Sequence, residues 1–225
     1  RQFTVAFDTA RIFDPSNVIN QNGLIYDLSG TADGINNNRR SDSTIKYTLN
    51  RDGLTLRTSI KPGNHAGSFT NGNAYALGAS YKFGNTEIAS SFTRVSHHRH
   101  KEDFSKQITT NGYSNIFNLG FAHKMGGTTL KGGYSNSQIP AIDISALQQS
   151  SSQRFPSKIN AQQIHHLGFG FDHQINPRLN LNLATYSQYK GNTKHGELTG
   201  FKYLLGTTYK VSPRTSLYGY VDHSL

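Results

Sequence analysis

From Ser43 onward, apolar and polar residues alternate with a period of two. Ile45, Tyr47 and Leu49 alternate with Thr44, Lys46 and Thr48, and Leu54, Leu56, Thr58 and Ile60 alternate with Thr55, Arg57, Ser59 and Lys61. Successive strand residues point to opposite faces, so each run predicts a strand with one apolar face. The alternation returns with Tyr75, Leu77, Ala79, Tyr81 and Phe83, with Phe117, Leu119 and Phe121, and with Leu167, Phe169 and Phe171. It continues through Leu179, Leu181 and Leu183, then Phe201, Tyr203, Leu205, Tyr209 and Val211, and ends with Leu217, Gly219 and Val221. Ten strands are predicted, at 43–50, 53–61, 74–83, 86–95, 113–124, 128–136, 162–175, 178–189, 199–211 and 215–224.

The breaks between these strands alternate strictly in length. Short breaks at Asn50 to Gly53, Gly84-Asn85, Met125 to Gly127, Asn176-Pro177 and Ser212 to Arg214 carry the Gly, Asn or Pro that a tight hairpin needs. Long breaks fall at Pro62 to Asn73, Ser96 to Gly112, Ser137 to Asn160 and Lys190 to Glu197. A weak repeat follows the hairpins: Leu77-Gly78, Leu119-Gly120, Leu167-Gly168 and Leu205-Gly206 lie 42, 48 and 38 residues apart. A β-propeller has a similar period, but its blades hold four short strands, whereas each repeat here holds two long ones.

Composition decides what the apolar faces are for. Only 34% of the 225 residues are hydrophobic and the mean hydropathy is -0.58, too little apolar material for a conventional core of this size. Only 16% are charged, so the polarity comes from Asn, Ser, Thr, Gln and Gly, which argues against intrinsic disorder. The absence of Cys excludes disulfide scaffolds, thiol catalysis and Cys-based zinc sites. No apolar run reaches the length of a membrane-spanning helix, and Arg1-Gln2-Phe3-Thr4 has no signal-peptide character, which predicts an internal segment of a longer chain. An all-β, up-and-down transmembrane barrel resolves the composition: lipid solvates the apolar face, the interior stays polar, and closure pairs the backbone groups. Short turns at one end, long loops at the other and tilted strands of about ten residues are the bacterial outer-membrane pattern.

Before Ser43 the alternation stops. Residues 3–38 hold Asp14-Pro15, Asn22-Gly23, Ser29-Gly30 and Asp33-Gly34, and they read as one long functional loop. Asp8, Asp14, Asp27 and Asp33 face the single base Arg11, so this segment is at -3 and the remainder of the +10 chain at +13. An acidic loop folded into a basic barrel would set a field across the lumen. The basic residues are scattered, with Arg39-Arg40 and His98-Arg99-His100-Lys101 the only tight clusters, and no nucleic-acid motif accompanies them; no nucleic-acid partner is expected.

The residues carry a family resemblance. Arg1-Gln2-Phe3-Thr4, a long loop with Asp14-Pro15, and then Arg40-Ser41-Asp42-Ser43-Thr44-Ile45-Lys46-Tyr47 resemble the general porins of Gram-negative bacteria, particularly the beta-proteobacterial type. Leu205-Gly206-Thr207-Thr208-Tyr209-Lys210-Val211-Ser212-Pro213-Arg214-Thr215-Ser216-Leu217-Tyr218 is similar to that family's penultimate hairpin. Position 42 is Asp where the family commonly has Asn, and the family's acidic loop sequence and terminal strand ending in Phe are absent. The resemblance implies a homotrimer of sixteen-stranded barrels in the outer membrane, in contact with lipid and lipopolysaccharide, passing ions and small hydrophilic solutes by passive diffusion. It further implies that the ten strands are the sixth to fifteenth of that barrel and that residues 3–38 are its inward-folding constriction loop. The whole chain, 1–225, is then one partial barrel domain, with the strand meander over 43–224.

Selectivity in such a channel arises from side chains at the narrowest part of the lumen. Alternation turns Lys46, Arg57 and Lys61 toward water, and Lys82, Lys131, Lys202 and Lys210 fall on polar faces as well. The resemblance puts Arg1 and Arg40 on a basic wall, with Arg39 as the register alternative, opposite acidic Asp14, Asp27 and Asp33 on the loop. The expected function is an anion-leaning porin with no catalytic step, metal or cofactor. A substrate-specific outer-membrane channel is the alternative, followed by an adhesive or hydrolytic barrel. His97, His98 and His100 lie in a polar loop near Glu102 and Asp103, while His165 and His166 fall on opposite strand faces and so are not expected to share an ion. Gly168 and Gly170 lie within a strand pattern and make no dinucleotide fingerprint.

Overall fold

A computed structural model describes residues 45–63, 72–96, 112–143, 158–159, 161–191 and 197–224. The strands are β1 (Ile45–Arg51), β2 (Leu54–Lys61), β3 (Ala74–Phe83), β4 (Thr86–Ser96), β5 (Tyr113–Met125), β6 (Thr128–Ile139), the two-residue β7 (Ile142–Asp143) and β8 (Lys158–Ile159), then β9 (Gln162–Asn176), β10 (Leu179–Gly191), β11 (Glu197–Ser212) and β12 (Thr215–Ser224). Ten of them form one antiparallel sheet in the order β1-β2-β3-β4-β5-β6-β9-β10-β11-β12, each strand beside its neighbour in sequence. This is an up-and-down meander, and its strands agree with those predicted to within three residues at every end. Two differences stand out. The Ser137 to Asn160 break is shorter than predicted, because β6 continues to Ile139. Within it, Ile142 and Asp143 pair with Ile159 and Lys158 as a separate two-stranded ladder.

Local turn chemistry fixes the register. At the β1–β2 turn, Asp52 and Gly53 both have positive φ (47° and 81°), the pairing that a tight turn matched to strand twist requires. A Cβ on Gly53 would lie 2.4 Å from the backbone oxygen of Lys82, so the turn also uses the absent side chain to let β3 approach. At the β9–β10 turn the Asn176 Oδ1 accepts hydrogen bonds from the backbone N–H groups of Arg178 and Leu179, both at 2.9 Å, a side-chain substitute for backbone pairing. The Ser212 Oγ accepts from the Arg214 N–H at 3.2 Å in the last short turn.

Burial is inverted relative to a water-soluble protein. Apolar residues on one face are open, including Leu77 at 61% exposure, Phe169 at 49% and Val221 at 72%, whereas polar Ser114, Asn118, Asn182 and Lys202 on the other face are buried. A flat single sheet would expose both faces equally, so the sheet curls toward its polar face. The cluster of buried apolar residues reduces to Leu204 with Ala184 against it. Phe121 shows how the outer face is filled: its ring lies over Gly132, its register partner on β6, where a Cβ would stand 2.4 Å from the ring. Residues 3–38, assigned by sequence to a loop, lie outside the described residues, and so do His97, His98 and His100.

Candidate channel-lining face

Strand parity and register place the basic residues together. Lys46 on β1 pairs in register with Ser59 on β2, Arg57 pairs with Thr48 on one side and Gly78 on the other, and Lys61 pairs with Ala74. All three therefore share the polar face, with the Lys46 position between those of Arg57 and Lys61 along the hairpin. Gly78 beside Arg57 and Ala74 beside Lys61 are small, which leaves the long cationic chains room over β3. Toward the short-turn end, Arg57, Ser80, Lys82 and Glu87 line a hollow of about 470 Å³, where Lys82 and Glu87 are register partners.

The other half of the sheet adds cations on the same face. Lys202 pairs in register with Tyr186, Lys210 with Ser216, Lys124 with Thr129 and Lys190 with Ile164. The Lys131 Nζ forms an ion pair with the Asp172 carboxylate, and both side chains are almost fully withdrawn from solvent. Asn182 donates from Nδ2 to the other oxygen of Asp172 at 2.7 Å, tying β6, β9 and β10 together. The expectation that Lys131 adds to the field like the other lysines is corrected accordingly: Asp172 neutralises it locally.

The two adjacent histidines part as their strand geometry requires. His166 faces inward, with its Nε2 3.0 Å from the Gln188 Oε1, while the Nδ1 of His165 lies 2.6 Å from the Tyr134 hydroxyl on the outer face. No group of three potential metal ligands occurs among the described residues. Gly168 and Gly170 lie inside β9. On the inner face, the Thr93 and Thr208 hydroxyls and the Asn182 Oδ1 are buried without a protein hydrogen-bond partner, the kind of group that solution in a lumen satisfies.

Of the residues singled out by sequence, Lys46, Arg57 and Lys61 come together on one hairpin. Arg1, Arg39, Arg40, Asp14, Asp27 and Asp33 lie outside the described residues. Sequence reading missed Asp172, Asn182 and Gln188, and it separated His166 from His165 by face without finding its Gln188 partner. The parity of β9 and β10 marks all four as inward, but recognising Asp172 as the partner of Lys131 requires the register between β6 and β9.

The fold is that of outer-membrane β-barrels. Covering the whole chain and 68% of the other protein, it matches a loop-deletion mutant of OmpT, an outer membrane protein of Vibrio cholerae, with a TM-score of 0.68 at 13% identity. Against an anion-selective porin from Comamonas acidovorans the TM-score is 0.59 at 14% identity, over 84% of this chain and 50% of that one. OmpF of Salmonella typhi, in complex with daunomycin, gives 0.57 at 12% identity, over 90% and 64%. The chain thus spans between half and about two thirds of these barrels. No curated protein matches it in sequence. The structure and its relatives place the chain as an integral β-barrel protein of the bacterial outer membrane. A family model for Gram-negative porins matches residues 1–224, and the chain belongs to that family.

Proposed function

We propose that the protein containing this chain is a passive diffusion channel for ions and small hydrophilic solutes, that it leans toward anions, and that it works as a homotrimer without catalytic chemistry or a cofactor. The observation that carries this reading is the shared inner face of Lys46, Arg57 and Lys61, joined from the far half of the sheet by Lys202 and Lys210. A face on which cations outnumber carboxylates raises the local concentration of anions. The likeness to an anion-selective porin supports the same sign. In this reading, residues 3–38 form the constriction loop, with Asp14, Asp27 and Asp33 opposed by Arg1, Arg39 and Arg40 across the narrowest part. The field between them orients dipolar solutes.

Liposome swelling with the full-length protein tests the channel and its breadth. Uncharged sugars of increasing size enter at rates that fall smoothly with size and do not depend on stereochemistry. Entry of one sugar with exclusion of isomers of equal size would identify a substrate-specific channel instead, and no entry through correctly folded protein would overturn the reading altogether.

A further inference from the structure

The short-turn half of β10, β11 and β12 builds a patch on the inner face that scattered cations do not explain. Register sets three inward rows side by side there. Lys210 pairs with Ser216, Thr208 with Tyr218, and Gly206 with Tyr220, while Asn182 stands across Gly206 on β10. Arg178 adjoins Lys210, whose backbone N–H donates to the Arg178 oxygen at 2.8 Å. Two cations thus sit at the turn end with two tyrosines above them. Both tyrosines are half-exposed, whereas Tyr186, inward on β10, is buried.

Two buried polar atoms in this patch have no protein partner. Thr208 is 7% exposed and Asn182 1%, and the Thr208 hydroxyl and the Asn182 Oδ1 both lack a hydrogen bond. The orientation of the Asn182 amide is fixed, because its Nδ2 donates to Asp172 and a carboxylate only accepts. Its Oδ1 is thereby left beside Gly206, 3.7 Å from where a Cβ on that glycine would stand, with the Tyr220 Cβ also at 3.7 Å. The absent side chain leaves a gap with an acceptor on one wall and an aromatic residue on the other. Along β11 the order is cation, hydroxyl, gap, over about 13 Å from Lys210 to Gly206.

We infer that this patch is a subsite for aromatic carboxylates that carry a hydroxyl opposite the acid group. The carboxylate accepts charge-assisted hydrogen bonds from the Lys210 ammonium and the Thr208 hydroxyl, and Arg178 adds positive charge at the turn end. The ring lies against Tyr218 and Tyr220, which offer aromatic faces in a wall that is otherwise polar. The ligand's hydroxyl enters the gap over Gly206 and donates to the Asn182 Oδ1, which satisfies a buried acceptor. Asp172, beside Asn182, is paired with Lys131, so its charge does not turn the anion away. The inference rests on the reading of this face as a lumen wall open to solutes, and adds to it a preferred class of solute.

The test is block of single-channel conductance through the full-length protein in a planar bilayer by para-hydroxybenzoate, benzoate and cyclohexanecarboxylate, which carry the same charge. The half-blocking concentration rises in that order. Tyr218→Leu raises it about threefold to tenfold for the two aromatic acids and leaves it unchanged for cyclohexanecarboxylate. Gly206→Ala fills the gap at ordinary contact distances and removes the advantage of para-hydroxybenzoate over benzoate. Calorimetric binding of the same acids to folded protein in detergent micelles does not need conduction, so protein that binds selectively without conducting fails the channel reading and keeps the site. Equal block by the three acids in the parent, a comparison that needs no variant to fold, would overturn the inference. So would a retained advantage of para-hydroxybenzoate in correctly folded Gly206→Ala, or calorimetric binding that does not distinguish the acids.

Discussion

Replacing Asp172 with Asn removes the negative charge from a pair whose side chains are only 10% and 12% exposed. Exposed ion pairs contribute up to about 1 kcal/mol, whereas breaking a buried pair costs about 3–5 kcal/mol because the remaining charge is left desolvated. Lys131 has a flexible stem that can reach lumen water, so the lower end applies and Asp172→Asn should destabilise the barrel by about 3 kcal/mol. The isosteric amide keeps its place beside Asn182, so the loss reports on charge rather than on volume. In the double variant Lys131→Met with Asp172→Asn no charge is stranded and the Asn182 hydrogen bond keeps its acceptor, so stability should return to within about 1 kcal/mol of the parent. Reversible urea unfolding of the full-length protein in detergent micelles measures both, with an unchanged slope required for the comparison. Asp172→Asn also uncovers one positive charge, so its reversal potential should move further toward anions. A single variant as stable as the parent, or a double variant as unstable as the single one, would refute a desolvated pair linking three strands.

Three further outcomes follow from the same geometry. Gly53→Ala places a Cβ against the Lys82 backbone oxygen at a positive φ, and should cost about 2 kcal/mol in the same unfolding assay. Gly84→Ala shares the positive φ but has nothing within 4 Å, so about 1 kcal/mol is expected there, and the difference between the two measures the close approach. Leu119→Arg, on the outward face at the centre of the thirteen-residue β5, should cost about 2–4 kcal/mol, as a cation at the bilayer midplane does, and should lower the yield of folded protein in liposomes.

Much of this fold was legible because its signals are local. A period of two, interrupted by Asn, Gly or Pro, locates strands and turns without knowledge of any partner, and Asn50 to Gly53 or Asn176-Pro177 mark hairpins by their own backbone preferences. Strand ends were less legible where pairing decides them. Ser137 to Ile139 extend β6 because β9 lies alongside to bond them, and the small ladder of Ile142–Asp143 with Lys158–Ile159 depends on chain folding over a long connection. The inward direction of Lys46, Arg57 and Lys61 followed from parity alone. The Lys131–Asp172 pair did not, since it lies diagonally across two strands and depends on a register fixed by the whole β6–β9 connection.

The central claim, a cation-lined conducting lumen, is tested most directly by the reversal potential of the full-length protein in a planar bilayer under a tenfold salt gradient. The parent should show stepwise conductance with its reversal potential on the anion side, and the triple variant Lys46→Glu, Arg57→Glu and Lys61→Glu should shift it toward, or past, zero to the cation side. A reversal potential that is unchanged in the correctly folded triple variant, or cation preference in the parent, would contradict the assignment of these residues to the conducting face.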